Sequence, residues 1–194
     1  MFLTGVRIQG FRGLGDVQFS LLPKTVLIGE NNAGKTSVLD AIRLALRSTP
    51  AKRVSPADEF DFALTPVPTN QFSVALSFDS TKEHPWPDEC IQQLDGVALV
   101  DEAGNYHIRL RYVGTRSDGQ IEERWDFLNQ IDEILKPRDP VETLRRRLQS
   151  FVPLYQLEAV RDAGDQFSSR NSLWSSLLKG ANIPETERLG LEVD

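Results

Sequence analysis

The sequence predicts an α/β fold: a lobe with a mixed sheet, one amphipathic helix behind a glycine-rich loop, and an antiparallel β-meander after it. Three observations carry this. The apolar run Thr25-Val26-Leu27-Ile28 suits a strand covered on both faces. It leads into the glycine-rich loop Gly29–Thr36, and a helical apolar period starts at once, with Val38, Ile42, Ala45 and Leu46 on one side. From Gln71 to Leu128 the apolar period becomes two.

Taken in order, Met1–Gln9 reads as a strand through Phe2, Leu3, Val6 and Ile8. Gly10-Phe11-Arg12-Gly13-Leu14-Gly15 is a turn-rich break, and Val17, Phe19 and Leu21 mark a second short strand, so the two form a hairpin. The helix over Lys35–Arg47 carries a cation in its last turn and is stopped by Pro50. Residues 48–69 hold four of the eleven prolines and read as a long loop with one helical turn near Pro56–Phe62. In the meander, Phe72, Val74, Leu76 and Phe78 alternate with small or polar residues, as do Tyr106, Ile108, Leu110 and Tyr112 with His107, Arg109 and Arg111. Val97–Val100 and Glu122–Leu128 supply further strands, the second of them weaker. A helix over 141–150 opens at Asp139-Pro140, a strand follows at Val152–Leu157, and Ser168–Lys179 reads as a helix closed by Gly180. The organisation is a lobe over 1–50, a meander over 70–130 and a helical segment over 140–194.

Composition narrows the class. The chain has 194 residues, 40% hydrophobic and 26% charged, as expected of a globular chain. No apolar run approaches the ~18 residues of a membrane span, and the N-terminus is not a secretory signal. A single cysteine, Cys90, forms no internal disulfide, which points to the cytoplasm. The net charge of −6 excludes a domain that holds nucleic acid by bulk electrostatics alone. Two basic groups, Arg145-Arg146-Arg147 and Arg43, Arg47, Lys52 and Arg53, read as solvated helix faces.

Gly29-Glu30-Asn31-Asn32-Ala33-Gly34-Lys35-Thr36 satisfies G-x-x-x-x-G-K-[ST] at every fixed position, with a strand before it and a helix after it. Backbone N–H groups of such a loop converge on phosphate oxygens, where the positive end of the helix dipole also points. The glycines permit close backbone approach, the Lys35 ammonium lies across β- and γ-oxygens, and the Thr36 hydroxyl ligates Mg²⁺. Two other stretches imitate functional motifs. Val97-Ala98-Leu99-Val100-Asp101-Glu102 looks like a Walker B strand, and Ser117-Asp118-Gly119-Gln120 like an ABC signature. Their order along the chain is reversed for an ABC-type ATPase, and each reads more simply as a hairpin turn. His84, His107 and Cys90 make no convincing zinc set.

Residues 1–47, with a first strand, Phe11-Arg12-Gly13, a second strand and the G-E-N-N-x-G-K-T loop, resemble the N-terminal lobe of the RecF, SMC and OLD group of ABC-type ATPases. Residues 151–179 are similar to the OLD (overcoming lysogenization defect) family in particular, through Arg161-Asp162 and the Ser172-Leu173-Trp174…Leu177-Leu178-Lys179 helix. The resemblance implies a P-loop NTPase fold of ABC/SMC-head type, binding ATP and Mg²⁺, with heads that dimerise and a C-terminal Toprim nuclease acting on DNA, in some members against phage. It carries over Gly29, Asn31, Asn32, Ala33, Gly34, Lys35 and Thr36 as nucleotide residues, and Ser37 as a contact at the helix N-terminus. It also places Arg12 near the nucleotide and Gln156 at a Q-loop position touching Mg²⁺ or the attacking water.

The family continues beyond position 194 with the signature, Walker B, an H-loop and Toprim carboxylates. The expectation is therefore the first part of a larger ATPase-nuclease, or a natural truncation, that joins a second copy or a complementary chain and is inactive alone. A RecF-like repair ATPase without nuclease, and a non-catalytic module that dimerises on ATP, stand as alternatives.

Overall fold

A tight hairpin opens the structure, a computed structural model that describes residues 1–47, 56–63 and 68–154. Strands β1 (Leu3–Phe11) and β2 (Leu14–Ser20) pair antiparallel, from Gly5 opposite Ser20 to Phe11 opposite Leu14. β1 continues through Gly10 and Phe11, two residues past its expected end, and its alternation shifts at Gly10, so that Phe11 is buried after Val6 and Ile8. Gly10 makes this possible: its φ is +66°, and a Cβ there would lie 2.9 Å from the Gln71 carbonyl oxygen. The turn Arg12-Gly13 then reverses the chain, with Arg12 itself at φ 50°.

Strand β3 (Gln71–Asp79) pairs with the other side of β1, so the N-terminal strand is central and not an edge. Long β5 (Tyr106–Ser117) pairs with β3 along its length. The other side of β5 is shared by β6 (Gln120–Leu128) and the two-residue β4 (Leu99–Val100). The order is β2-β1-β3-β5, with β4 and β6 both on β5, and every pairing among the described strands is antiparallel. The expected meander is present in its hairpins, β4–β5 and β5–β6. β3 instead joins β1 to β5, and α2 (Asp88–Gln93) stands between β3 and β4. α2 leaves no signal in the sequence, since six residues are too few to show a helical period.

Thr25–Ile28 differs from expectation. It pairs with no described strand, and Val26 and Ile28 are 79% and 92% exposed, while Leu27 packs on the core. An interior strand is defined by neighbours on both sides, and no described strand takes either place. The turn expected near Pro56–Phe62 is a single 3₁₀ turn over Glu59–Asp61, capped by the Asp58 side chain on the Phe60 N–H. Phe62 bridges to Phe11, which fastens this turn to the end of β1.

One face of the sheet is apolar by period two. Val6, Ile8, Phe72, Val74, Leu76, Phe78, Ile108, Leu110, Tyr112 and Phe127 are all buried. Helix α1 (Lys35–Leu46) lies on β1 and β3 through Val38, Ala41 and Ala45. Helix α3 (Val141–Phe151), entered from Pro140, packs on β6 and α2 through Leu144 and Leu148. Phe72 sits at the centre of an aromatic group, edge-on to Phe11, Phe62 and Tyr112 with ring centres 5.1–5.7 Å away.

That ring needs the glycine beneath it. Gly114 is opposite Phe72 in the ladder, and a Cβ on it would come within 2.5 Å of the Phe72 ring. Gly114→Ala is expected to destabilise the domain by about 1–3 kcal/mol, because Phe72 is hemmed in by three rings and has nowhere to shift. Chemical denaturation measures this directly, and an unchanged midpoint would mean that the cluster repacks freely.

Candidate phosphate-binding site

The loop Gly29–Gly34 leads directly into the first turn of α1. Asn32 and Gly34 both take left-handed backbone, with φ 67° and 86°. Gly34 is the N-cap of α1, and no side chain caps the N–H groups of the first turn, which also carries no acidic residue. The Lys35 ammonium folds back over the loop and donates to the carbonyls of Gly29 and Glu30, 2.8 Å each. Those bonds hold the ammonium against the loop, next to the uncapped first turn of α1 whose free N–H groups and positive dipole end favour an anion. Thr36 and Ser37 follow in the first turn, so their hydroxyls are carried at this same end of the helix.

Arg12 is brought to α1 by the β1–β2 turn. Leu14, two residues on, lies against the α position of Gly34: a Cβ there would meet the Leu14 side chain at 2.6 Å. The guanidinium of Arg12 is held by Asp40 of α1 (Nη1, 2.6 Å) and by Asp61 of the 3₁₀ turn (Nε, 2.9 Å). Partial burial works against its charge, but these two carboxylates outweigh it and hold its pKa above the ordinary arginine value. Arg12 thus ties together the hairpin turn, the second turn of α1 and the 3₁₀ turn. Asp40 and Asp61 were not apparent as its partners in sequence, because both belong to the polar background of their segments.

The far end of α1 is held as firmly. Glu123 of β6 accepts from the Tyr112 hydroxyl (2.5 Å) and the Ala57 N–H (3.0 Å), and forms an ion pair with Arg47. Burial pushes the Glu123 carboxyl up, yet the Ala57 N–H, Tyr112 and Arg47 together bring it below the ordinary carboxylate range. Burial and the Glu123 charge push the Tyr112 phenol well above its ordinary value. Arg47 and Arg145 are therefore not on solvated faces as expected. Both are buried, and both guanidinium groups lie over the Trp125 ring, 5.4 and 4.2 Å from its centre.

The two imitations of functional motifs are turns. Asp101 closes the β4–β5 hairpin, its carboxylate accepting the N–H groups of Ala103 and Asn105 at 2.9 and 2.8 Å. Asp118 and Gly119, with φ 51° and 76°, make the two-residue turn between β5 and β6. Next to the first turn, His107 is clamped between Asp79 (Nδ1, 2.7 Å) and Asp101 (Nε2, 3.0 Å). Partial burial lowers the affinity of the imidazole for its proton, but the two carboxylates prevail and its pKa is raised. The His107 hydrogen bond, with those of Asn105 and Ala103, holds the Asp101 carboxyl well below its ordinary value.

Stabilisation by protonated His107 is complete below the unfolded value of about 6.5 and is lost as pH rises through the raised folded value. The melting temperature of the wild type is expected to fall from pH 6 to pH 8.5 more steeply than that of His107→Gln. Asp101→Ala should flatten the profile in the same way while leaving nucleotide affinity unchanged. Parallel profiles for wild type and His107→Gln would remove the clamp from the account.

Among the sequence-predicted residues, Gly29, Asn31, Asn32, Ala33 and Gly34 lie in the loop before α1, Lys35, Thr36 and Ser37 lie in its first turn, and Arg12 is ion-paired to Asp40 of the same helix. Gln156, the Arg161-Asp162 stretch and the helix over 168–179 lie outside the described residues. No group of three or more His, Cys, Asp or Glu among the described residues can hold a metal ion. Cys90 is buried, and burial pushes its thiol up. No helix among the described residues is long and apolar enough to cross a membrane.

A glycine-rich G-x-x-x-x-G-K-T loop stands at the head of a helix on a lobe of antiparallel strands, which is the P-loop sequence pattern set in a mixed α/β fold. The chain belongs to the family described as "Protein of unknown function (DUF2813)", matched over residues 1–181. It is 40% identical over 199 residues to the uncharacterized protein YbjD of Escherichia coli (strain K12), covering 100% of this chain and 34% of that protein. It is 30% identical over 145 residues to the DNA replication and repair protein RecF of Synechococcus sp. (strain JA-2-3B'a(2-13)), covering 70% of this chain and 30% of that one. The chain thus spans about a third of the length of these relatives. A solved structure from work on ATP-driven dimerization and DNA-stimulated activation of SMC ATPases aligns over 100% of this chain and 98% of its own, with 18% identity and a TM-score of 0.49.

Proposed function

We infer that this chain binds ATP with Mg²⁺ in the loop over residues 29–37 and contributes the nucleotide-binding lobe of a composite ATPase. The observation that carries this is the first turn of α1: uncapped, free of acidic side chains and faced by a lysine whose ammonium rests on two loop carbonyls. Lys35 would exchange those carbonyls for β- and γ-phosphate oxygens, Thr36 would hold the magnesium ion, and the backbone of Asn31–Gly34 would surround the phosphates. A bound Mg²⁺ would supply charge neutralisation at the phosphates. Arg12, turned from Asp40, and Gln156 complete the reading as residues that approach the nucleotide.

A P-loop provides binding and part of the charge stabilisation, whereas hydrolysis also needs a carboxylate that positions water. The turns at Asp101 and Ser117 do not supply one. The chain alone is therefore expected to bind ATP without appreciable turnover and to cut no DNA. Exposed Leu22, Val26 and Ile28 support a role for further strands or a second copy beside Thr25–Ile28. In its full form we read the protein as an OLD-like, ATP-regulated DNA nuclease of the cytoplasm, dimerising through its heads, with a part in defence against phage. The 30% identity to RecF favours a second reading, a DNA repair ATPase without nuclease. Phosphate release and plasmid nicking, measured on this chain and on the full-length protein with sizing in the same buffer, test all of this. Robust turnover by a monomer of this chain would overturn the composite site, and ATP-dependent nicking by the full-length protein would decide against the repair reading.

A further inference from the structure

We propose that Arg145, with Gln149 and Trp125, is a positioning residue for the phosphate-binding helix: it fixes α1 from its C-terminal end and thereby sets nucleotide affinity at the other. This rests on the reading of residues 29–37 as a phosphate-binding loop. Helix α1 has twelve residues and spans about 18 Å. So short a helix is marginal by itself, and its placement depends on what holds it. At the N-terminus no side chain caps it. At the C-terminus its final carbonyls receive side-chain donors. The Trp125 indole donates to the Ala45 carbonyl at 2.9 Å. The Gln149 amide donates to the carbonyls of Leu46 and Arg47 at 2.9 and 2.8 Å. The Arg145 Nη1 group also donates to the Arg47 carbonyl.

Arg145 is a costly way to fill space. It is fully buried, and a buried cation must be paired and hydrogen-bonded to be tolerated. Its Nε and Nη2 groups fork onto Glu142 at 2.7–3.0 Å, and its plane lies over Trp125 at 4.2 Å. A leucine or methionine would pack there without that demand. What only a cation supplies is a positive charge and a donor at the negative end of the α1 dipole. Arg145 and Gln149 both belong to α3, which is itself fixed by Leu144 and Leu148 in the core. The chain thus reaches back about a hundred positions to clamp the end of α1. Loop N–H groups bind a phosphate only when placed within a few tenths of an ångström, so a helix freed at its far end presents them less well.

The test compares Arg145→Met, Arg145→Lys, Gln149→Leu and Trp125→Phe with the wild-type chain. Each is titrated with ATP and Mg²⁺ at a temperature where circular dichroism shows it fully folded, and amide exchange is followed in α1 and in β3 and β5. Arg145→Met is expected to weaken binding about tenfold, Gln149→Leu and Trp125→Phe about threefold each, with Arg145→Lys recovering part of the loss. Amides of Val38–Leu46 should exchange faster, while those of Val74 and Leu110 hold their wild-type rates. A purely structural role would lower the melting temperature and leave both the affinity of the folded protein and the α1-specific exchange unmoved, and that result overturns the proposal. If Arg145→Met does not fold, unchanged affinity in Gln149→Leu and Trp125→Phe overturns it equally. Wild-type chain that binds no ATP would sink the phosphate-loop reading instead, and the exchange of α1 would still decide whether Arg145 holds the helix.

Discussion

Replacing Lys35 by alanine is expected to weaken ATP binding by ten- to a hundredfold while the domain stays folded. The side chain sits outside the core, and its two hydrogen bonds go to exposed loop carbonyls that water can satisfy in its place. In the bound state the same ammonium would make charge-assisted bonds to phosphate, worth about 1.5–3 kcal/mol together, and 1.4 kcal/mol corresponds to a factor of ten. The melting temperature without nucleotide should therefore barely move, whereas the rise in melting temperature on adding ATP and Mg²⁺ should largely disappear. Titration with labelled ATP reads the affinity. Equal binding by both proteins would remove residues 29–37 from the site.

The largest loss of stability is expected at a residue that never meets the nucleotide. Glu123→Ala removes the acceptor shared by Tyr112, the Ala57 N–H and Arg47. The Arg47 side chain is only 7% exposed, so its charge is left in the interior without that partner. Breaking a buried pair in this way costs about 3–5 kcal/mol, a large share of the 5–15 kcal/mol typical of a folded domain. For a chain of this size that corresponds to a fall in melting temperature of roughly 6–20 °C. Glu123→Gln keeps an acceptor for Tyr112 and the Ala57 N–H and should lose less. Thermal and urea unfolding of the three proteins provide the comparison, and a shift under about 2 °C for the alanine variant would mean that water enters and screens Arg47.

How much of this was legible depends on the range of the interaction. The loop over 29–36 is visible because its chemistry is local: glycine where backbone must turn or approach, lysine and threonine at the fixed start of a helix. Strands β3 and β5 are visible because apolar residues alternate over Phe72–Phe78 and Tyr106–Tyr112, and the turns at Asp101 and Asp118-Gly119 because short polar side chains and glycine mark them. β6 looked weak for the same reason in reverse. Its inward positions include Glu123 and Trp125 beside Phe127, and the carboxylate interrupts the apolar period although its surroundings satisfy it. Thr25–Ile28 shows the opposite failure: an apolar run records a capacity for burial, and neighbouring strands decide whether burial occurs.

The sequence by itself determined the glycine-rich loop, the amphipathic helix behind it, the hairpins and the apolar face of the sheet, since each is written in spacings of two to about four residues. Only the tertiary structure decided which charges go inside. Arg145 stands in a run of three arginines that is indistinguishable from a solvated helix face, yet it meets the end of α1 across 98 positions, as Arg47 meets Glu123 across 76. A buried charge is tolerated through its partners, and no local period records partners brought together by folding.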